Sequence, residues 1–299
     1  MRIGIDLGGT KTEIIVLDEV GGERLRRRVA TPQADYDAVI RTMRDLVAGA
    51  ESELSTRATV GIAIPGTISP VTGLVKNANA TRLIGHPLDE DLGAALNREV
   101  RVANDANCFT LSEASDGAAA GREIVFGIIA GTGIGGGICI DGRVLTGAHA
   151  IAGEWGHNPL PAPRGDEIVS PPTCYCGRTG CIEAWCSGPA LMAQFERRTG
   201  RKLIATEIAA EAANGNEDAK LIFKAYLDRF ARAIAGVVNI LDPDAIVIGG
   251  GLSKIDALYA ELPPRVEHYA FSPQGPSLIV KNRHGDSSGV RGAAWLWPE

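Results

Sequence analysis

A chain of 299 residues is long enough for two lobes with sizeable cores. Its formal net charge of -6 and pI near 5.5 exclude the clustered basic face that nucleic acid or an anionic membrane demands. No apolar run approaches the ~18 residues of a membrane span, and Met1-Arg2-Ile3-Gly4-Ile5-Asp6 meets an acid too early for a signal-peptide core, so a cytoplasmic location is expected.

Residues 2–7 alternate as a strand, break at Gly8-Gly9-Thr10-Lys11 and resume as a strand over 13–17. A helical stretch over 36–50 follows, then a strand over 60–64 stopped by Pro65-Gly66, and a polar loop around Asn77-Ala78-Asn79. The short strand 100–103 ends at Asn104-Asp105-Ala106-Asn107, and 106–120 has helix-forming composition with an Asn or Asp in front as its natural cap. The opening grammar then recurs: an apolar strand over 124–130, a glycine turn over 131–137, and a strand over 138–140. The repetition predicts two similar lobes built by duplication.

Further on, 218–241 places Leu221, Ile222, Ala225, Phe230, Ala233, Ile234, Val237 and Val238 at helical spacing, a packing stripe. Asp242-Pro243 ends that helix, 245–248 is a short buried strand, and Gly249-Gly250-Gly251 is a third glycine turn. The tail over 288–297 has helical composition. Alternating strands and helices predict an α/β architecture with mixed sheets. The expected division is a first lobe over 1–117 and a second over 118–286, with a helix over 287–299 packing back on the first.

Three glycine turns after apolar strands point to phosphate, because backbone N–H groups at glycine approach an anion closely without net positive charge. The P-loop pattern is absent. Gly131, Gly133 and Gly136 satisfy the dinucleotide fingerprint, but a helix must begin at its third glycine and an alternating strand-like segment follows instead. Kinase catalytic H-R-D and D-F-G sets are also missing. Asp6, at the end of the first strand, could hold Mg2+ through water or merely stabilise the turn. Asp105 stands where a strand ends and a helix begins, a rigid position for an acid that takes a hydroxyl proton in phosphoryl transfer, although in isolation it reads as a helix cap.

Cysteines divide into two groups. Cys108, Cys139 and Cys186 stand among apolar or small residues and read as buried hydrophobes. Cys174, Cys176 and Cys181, with interleaved glycines and His157 upstream, make a His-Cys-Cys-Cys set suited to a closed tetrahedral zinc shell. Glu154 and Glu183 flank this loop, so folding it on a metal brings both acids near His157, as a substrate platform.

Taken in order, Asp6-Leu7-Gly8-Gly9-Thr10-Lys11, Asn104-Asp105, Gly131-Thr132-Gly133-Ile134-Gly135, Glu154-x-Gly156-His157 and Cys174-x-Cys176-Gly177-x-x-Gly180-Cys181-x-Glu183 resemble the ROK family of sugar kinases and repressors over the whole chain. Residues 103–108 and the ending 284–298 most resemble its bacterial fructokinases, or mannofructokinases. The resemblance implies an actin-like, ribonuclease-H-like fold of two lobes closing over ATP and a hexose. It makes Asp105 the base toward the sugar 6-hydroxyl, and Asn104, Glu154, His157 and Glu183 sugar contacts, with Gly66 and Asn79 as wall positions. Asp6, Gly8, Gly9, Thr10, Lys11, Gly131, Thr132 and Gly133 surround the phosphates and Mg2+. Gly250 and Gly251 lie near the adenosine, and His157, Cys174, Cys176 and Cys181 hold a structural zinc.

The expected reaction is phosphorylation of D-fructose to fructose 6-phosphate, with glucokinase, mannokinase or N-acetylhexosamine kinase as alternatives, and a non-catalytic sugar-sensing regulator behind them. The expected partners are a hexose and ATP, no nucleic acid and no membrane, with a homodimer as the candidate assembly. Repressors of the family carry a helix-turn-helix ahead of the first hairpin, and a hairpin starting at residue 2 leaves no room for one. The Pro-rich interval 158–173 is longer than in compact relatives, and its expected role is to cover the sugar site or a subunit contact.

Overall fold

In a computed structural model, which describes residues 1–33, 35–78, 80–271, 275, 277–285 and 288–297, the strands among the described residues are β1 (Arg2–Leu7), β2 (Lys11–Leu17), β3 (Glu23–Ala30), β4 (Thr59–Ile64), β5 (Thr67–Ile68), β6 (Val75–Lys76), β7 (Val100–Asn104), β8 (Ile124–Ala130), β9 (Ile134–Ile140), β10 (Arg143–Val144), β11 (Ala245–Gly249) and β12 (Ile279–Lys281). The helices are α1 (Tyr36–Leu54), α2 (Leu88–Leu96), α3 (Asp105–Ser115), α4 (Asp166–Val169), α5 (Ile182–Cys186), α6 (Gly188–Thr199), α7 (Ala205–Ala213), α8 (Glu217–Leu241), α9 (Ala257–Tyr269) and α10 (Ser288–Ala294). None of the described helices is long and apolar enough to cross a membrane.

Two five-stranded sheets share one plan. The first runs β3-β2-β1-β4-β7 and the second β10-β9-β8-β11-β12. In the first, β1 pairs antiparallel with β2 and parallel with β4, which pairs parallel with β7; in the second, β11 pairs parallel with β8 and β12. The repeated grammar of the sequence thus corresponds to a repeated strand order.

Chain contacts group residues 1–121, 137–152 and 283–299 into one compact unit and 122–136 with 153–282 into another. The division differs from the expected single break at 117, since 137–152 and the residues just before the tail fall with the first unit. The physical reason lies in β9: Gly137 has no side chain, and a Cβ there would strike Ala106 and Thr110 of α3.

In the first unit, the period of two along β1 sends Ile3, Ile5 and Leu7 to one face, where they meet Val39, Met43 and Val47 of α1 and Leu88 and Leu92 of α2. Each such fully buried aliphatic side chain contributes about 1.5–3 kcal/mol. Asp35 caps α1 by accepting from the Ala38 N–H at 2.6 Å. The opposite face of the sheet packs against α10. The Gly4 and Gly61 positions make that possible, because a Cβ at either would collide with a carbonyl of α10. The tail is then fastened by Trp297 Nε1 donating to the Val60 carbonyl at 2.7 Å and by Arg101 donating to that of Leu296 at 2.8 Å. Of the tail motif, Asp286, Ser287 and Pro298 lie outside the described residues.

In the second unit α8 packs against α5, α6, α7 and α9. Its cap is Asn216, which accepts from the Ala219 N–H at 3.0 Å. Of the expected stripe, Phe230, Ala233, Ile234 and Val238 are buried and Leu221 is exposed; Phe223, Tyr226 and Leu227, outside the stripe, are buried too. Along the helix Tyr226 stacks on Phe223 and meets Phe230.

Candidate functional site

In the first unit the turn between β1 and β2 is held by its carbonyls. Thr31 Oγ1 donates to the Gly8 carbonyl at 2.8 Å, and Gln33 and Arg82 both donate to that of Gly9 at 2.9 Å. The Gly8 N–H closes the turn on the Lys11 carbonyl at 3.0 Å. Gly9, Thr10 and Lys11 are left exposed at its tip.

Asp6, next to this turn, pairs in register with Glu13 on β2 and Ala63 on β4. Burial, followed by the charges of Asp105 and Glu13 and opposed by Arg28, pushes its carboxyl up to about 7. The charges of Asp105 and Asp6 therefore interact.

Asp105 is the first residue of α3 and is exposed. The residue in front, Asn104, is the helix cap: its Oδ1 accepts from the Ala106 N–H at 2.9 Å while its Nδ2 donates to the Gly66 carbonyl at 3.2 Å. Capping by Asn104 leaves the Asp105 carboxylate at the positive end of the helix. Gly66 takes φ +137, and a Cβ there would crowd Lys76 and Ala78. Asn79 lies outside the described residues. The helix stops at Ser115, earlier than the expected residue 120, because the Glu113 carboxylate folds back to accept from the Ala118 N–H at 2.9 Å.

The second unit carries the cysteine loop. His157 sits in a single 3-10 turn, Trp155–His157. The loop is a narrow turn bridged between Thr173 and Thr179, and Pro159 bridges Cys181. Ligand atoms of His157, Cys174, Cys176 and Cys181 all lie within 4.8 Å of one another. His157 Nδ1 is 3.6 Å from Cys174 Sγ, and Cys176 Sγ is 3.7 Å from Cys181 Sγ. A tetrahedron with metal–sulfur bonds of about 2.3 Å has edges of about 3.8 Å, so this donor set fits Zn2+. His157 Nε2 meets Tyr175 Oη at 3.0 Å, the outer partner that a ligating imidazole requires. Cys108, Cys139 and Cys186 are buried, and burial raises the pKa of each thiol.

The two flanking acids differ. Glu154 is exposed. Glu183 is buried, with Oε2 accepting from the Ile134 N–H at 2.9 Å and Oε1 facing Cys174 Sγ at 3.7 Å. Burial and then the charges of Glu183 and Glu154 push Tyr175 up to about 12, which places the phenol near both acids.

The second glycine turn is shorter than expected. Gly131 N–H closes on the Gly133 carbonyl at 2.9 Å and β9 begins at Ile134, so Gly135, Gly136 and Gly137 are strand residues. Beside the turn lies a cavity of about 340 Å3 lined by Gly131, Thr132 and Gly251 together with Gly188, Pro189, Met192, Ile204, Ala205, Thr206 and Leu252. Gly133 and Gly250 are not in its lining; Gly250 instead packs on Ala130 with φ +77. The starts of α6 and α7 form the other wall, which sequence reasoning missed. One signal was available there: Ser187-Gly188-Pro189 reads as a helix start, and Ser187 Oγ does accept from the Ala190 N–H at 3.3 Å.

The interval 158–173 folds against α8. Arg232, nearly fully buried, donates to the carbonyls of Pro161 and Ala162 and to both oxygens of Glu167, each of those carboxylate bonds at 2.9 Å, and Arg229 Nε donates to Glu167 at 2.7 Å. One task of the insert is therefore structural: its acid clamps the metal loop to the longest helix.

Known proteins agree with this picture along the full chain. An N-acetyl-D-glucosamine kinase from Pectobacterium carotovorum is 39% identical over 299 residues, covering 99% of this chain and 98% of that protein. Among solved structures, a ROK hexokinase from Thermus thermophilus superposes with a TM-score of 0.86 at 29% identity, over 99% of this chain and 97% of the other. A ROK glucokinase from Streptomyces griseus, in complex with glucose and AMPPNP, gives 0.76 at 26% identity, over 99% and 98%. The ROK family model matches residues 2–299, and the chain belongs to the ROK family.

Proposed function

We propose that the protein is an ATP-dependent sugar kinase that phosphorylates the 6-hydroxyl of an N-acetylhexosamine, N-acetyl-D-glucosamine in the first place. The observation that carries the kinase reading is the exposed Asp105 carboxylate at a strand-to-helix junction, interacting with Asp6. The choice of sugar rests on the full-length relative from Pectobacterium. Fructose, expected from residues 103–108 and 284–298, gains no support from it, and an N-acetylhexosamine, among the alternatives, does.

Asp105 accepts the proton of the 6-hydroxyl as its oxygen bonds to the γ-phosphorus, while the bond from that phosphorus to the β–γ bridging oxygen breaks and ADP leaves with the electron pair. Gly8, Gly9, Thr10, Lys11, Gly131, Thr132 and Gly133 are the residues that would meet phosphate oxygens. Asp6 would hold Mg2+ through water, and the bound ion neutralises charge on the phosphates. The cavity lined by Met192, Ile204 and Gly251 takes the adenosine, with Gly250 supporting Gly251. Asn104, Glu154, His157 and Glu183 contact the sugar, with Gly66 and Asn79 as wall positions. His157, Cys174, Cys176 and Cys181 hold zinc in a shell with no open position, a structural role that fixes the loop.

A panel of hexoses assayed for ATP-dependent phosphorylation tests the substrate. We expect kcat/KM for N-acetyl-D-glucosamine to exceed that for fructose, glucose and mannose by at least about tenfold, a difference of about 1.4 kcal/mol in transition-state binding. Fructose as the best substrate would restore the first expectation, and phosphorylation of no hexose would remove the kinase reading.

A further inference from the structure

We propose that Glu183 is a positioning residue for the nucleotide, tying the cysteine loop to the Gly131–Gly133 turn so that metal bound by the loop tightens nucleotide binding. The proposal rests on the nucleotide reading of the cavity and adds a linkage to it. Glu183 follows Cys181 by two residues, in the first turn of α5. Its backbone is placed by the ligand loop itself, through the Pro159–Cys181 bridge and the Ile182 N–H donating to the Asn158 carbonyl at 2.9 Å.

From that anchor the residue reaches both sides of the cavity. Its Oε2 holds the Ile134 N–H at the exit of the glycine turn, and a Cβ on Gly133 would lie 2.5 Å from the same oxygen, so the turn and the carboxylate are in close contact. Its main-chain carbonyl accepts from the Ser187 N–H at 3.0 Å, and the next residue, Gly188, donates to the Gly131 carbonyl at 2.8 Å. Gly131, Thr132 and Gly188 all line the cavity. One buried acid thus fixes the turn directly and the opposite wall through α5, while its own position depends on a loop whose shape four metal ligands determine. A ligand that needs the turn in one geometry gains affinity when the loop is ordered, and the gain is reciprocal.

The test uses the full-length protein, zinc-loaded or stripped by chelation, in the absence of sugar. Amide hydrogen exchange at Ile134 should be slow in the zinc-loaded wild type, faster by about tenfold or more in Glu183→Ala and in the stripped wild type, and restored in Glu183→Gln, which keeps an acceptor for the amide. Calorimetry with a non-hydrolysable ATP analogue should show binding about tenfold weaker on stripping the wild type and on Glu183→Ala, with no further loss when Glu183→Ala is stripped. If stripping unfolds the chain, chelator competition reads the same linkage in reverse: saturating analogue should slow zinc loss about tenfold in the wild type and not in Glu183→Ala. Analogue affinity unchanged by Glu183→Ala, as expected of a residue that only contacts sugar, overturns the proposal. A wild type that binds no analogue sinks the nucleotide reading and the linkage with it, while slow Ile134 exchange would still mark the tie within the loop.

Discussion

The β1–β2 and β8–β9 turns follow the same grammar of apolar strand and glycine, yet different side chains hold them. Thr31, Gln33 and Arg82 donate to the carbonyls of the first turn, leaving it beside a pair of interacting carboxylates, Asp6 and Asp105. A carboxylate accepts from an amide of the second, and that turn borders a largely apolar cavity and is tied to the cysteine loop. The difference shows how two copies of one sheet plan divide labour. On the proposed function the first would place acids for proton and cation chemistry, and the second would provide shape for a base and a scaffold for the loop.

The most severe way to break this division is Asp105→Asn. The amide keeps the side chain's acceptor near the Ala106 N–H, now 2.8 Å from Asp105 Oδ1, so α3 should stay folded. Loss of the base should lower kcat by about 10³-fold, within the range for general-base removal, with little change in analogue binding to the second unit. Steady-state kinetics beside calorimetry checks it; a variant within tenfold of the wild type would remove Asp105 from the chemistry.

Next in size is Glu167→Gln, which attacks the second turn's scaffold from the far side of the metal loop. Burial alone would raise the Glu167 pKa, but Arg229, the Arg164 N–H and Arg232 hold it below the usual carboxylate range. A depressed carboxylate contributes stability above its unfolded pKa, near 4.5, and that contribution is lost as pH falls through the lower folded value. Removing the charge leaves Arg232, 3% exposed, with the half-buried Asp228, 3.0 Å from its Nε, as its remaining carboxylate. We expect a loss of about 3 kcal/mol at pH 7, shrinking as pH falls through the lowered folded pKa of Glu167, where the wild type loses the same pairs. Denaturant titrations across pH measure this directly; a loss that never shrinks on acidification would show that the ion pairs are not the cause.

What the sequence made legible follows from where the information is local. A strand, a glycine turn and a strand announce themselves by period and composition, so β1, β2, β4, β7, β8 and β11 could be read from the chain, whereas β3, β10 and β12 were not. The candidate metal-holding set was equally plain, because Cys174, Cys176 and Cys181 stand close together in sequence. The cavity's second wall was not: Met192, Ile204 and Thr206 are ordinary residues of helix starts, and only the fold brings them to Gly131. The same holds for Glu183. Its acid was visible, but its commitment to the Ile134 amide depends on the loop's return across the start of β9. On α8 the expected stripe held at Phe230, Ala233, Ile234 and Val238 and missed Phe223, Tyr226 and Leu227, which the neighbouring helices bury.

The smallest expected effect sharpens the comparison on the first turn. Thr31 is buried, accepts a hydrogen bond from Thr12 Oγ1 at 2.9 Å, and donates to the Gly8 carbonyl. Thr31→Val keeps the shape and removes the hydroxyl, leaving two buried polar groups short of a partner. The cost should be about 1–2 kcal/mol, a fall in Tm of a few degrees, because the Gly8–Lys11 bond within the turn survives. If the turn is held chiefly by its carbonyls, the KM for ATP should also rise a few-fold while Ile134 exchange in the second unit stays unchanged. A variant with lowered Tm and an unaltered KM would mean that Thr31 supports the sheet and that Gln33 and Arg82 suffice to hold the turn.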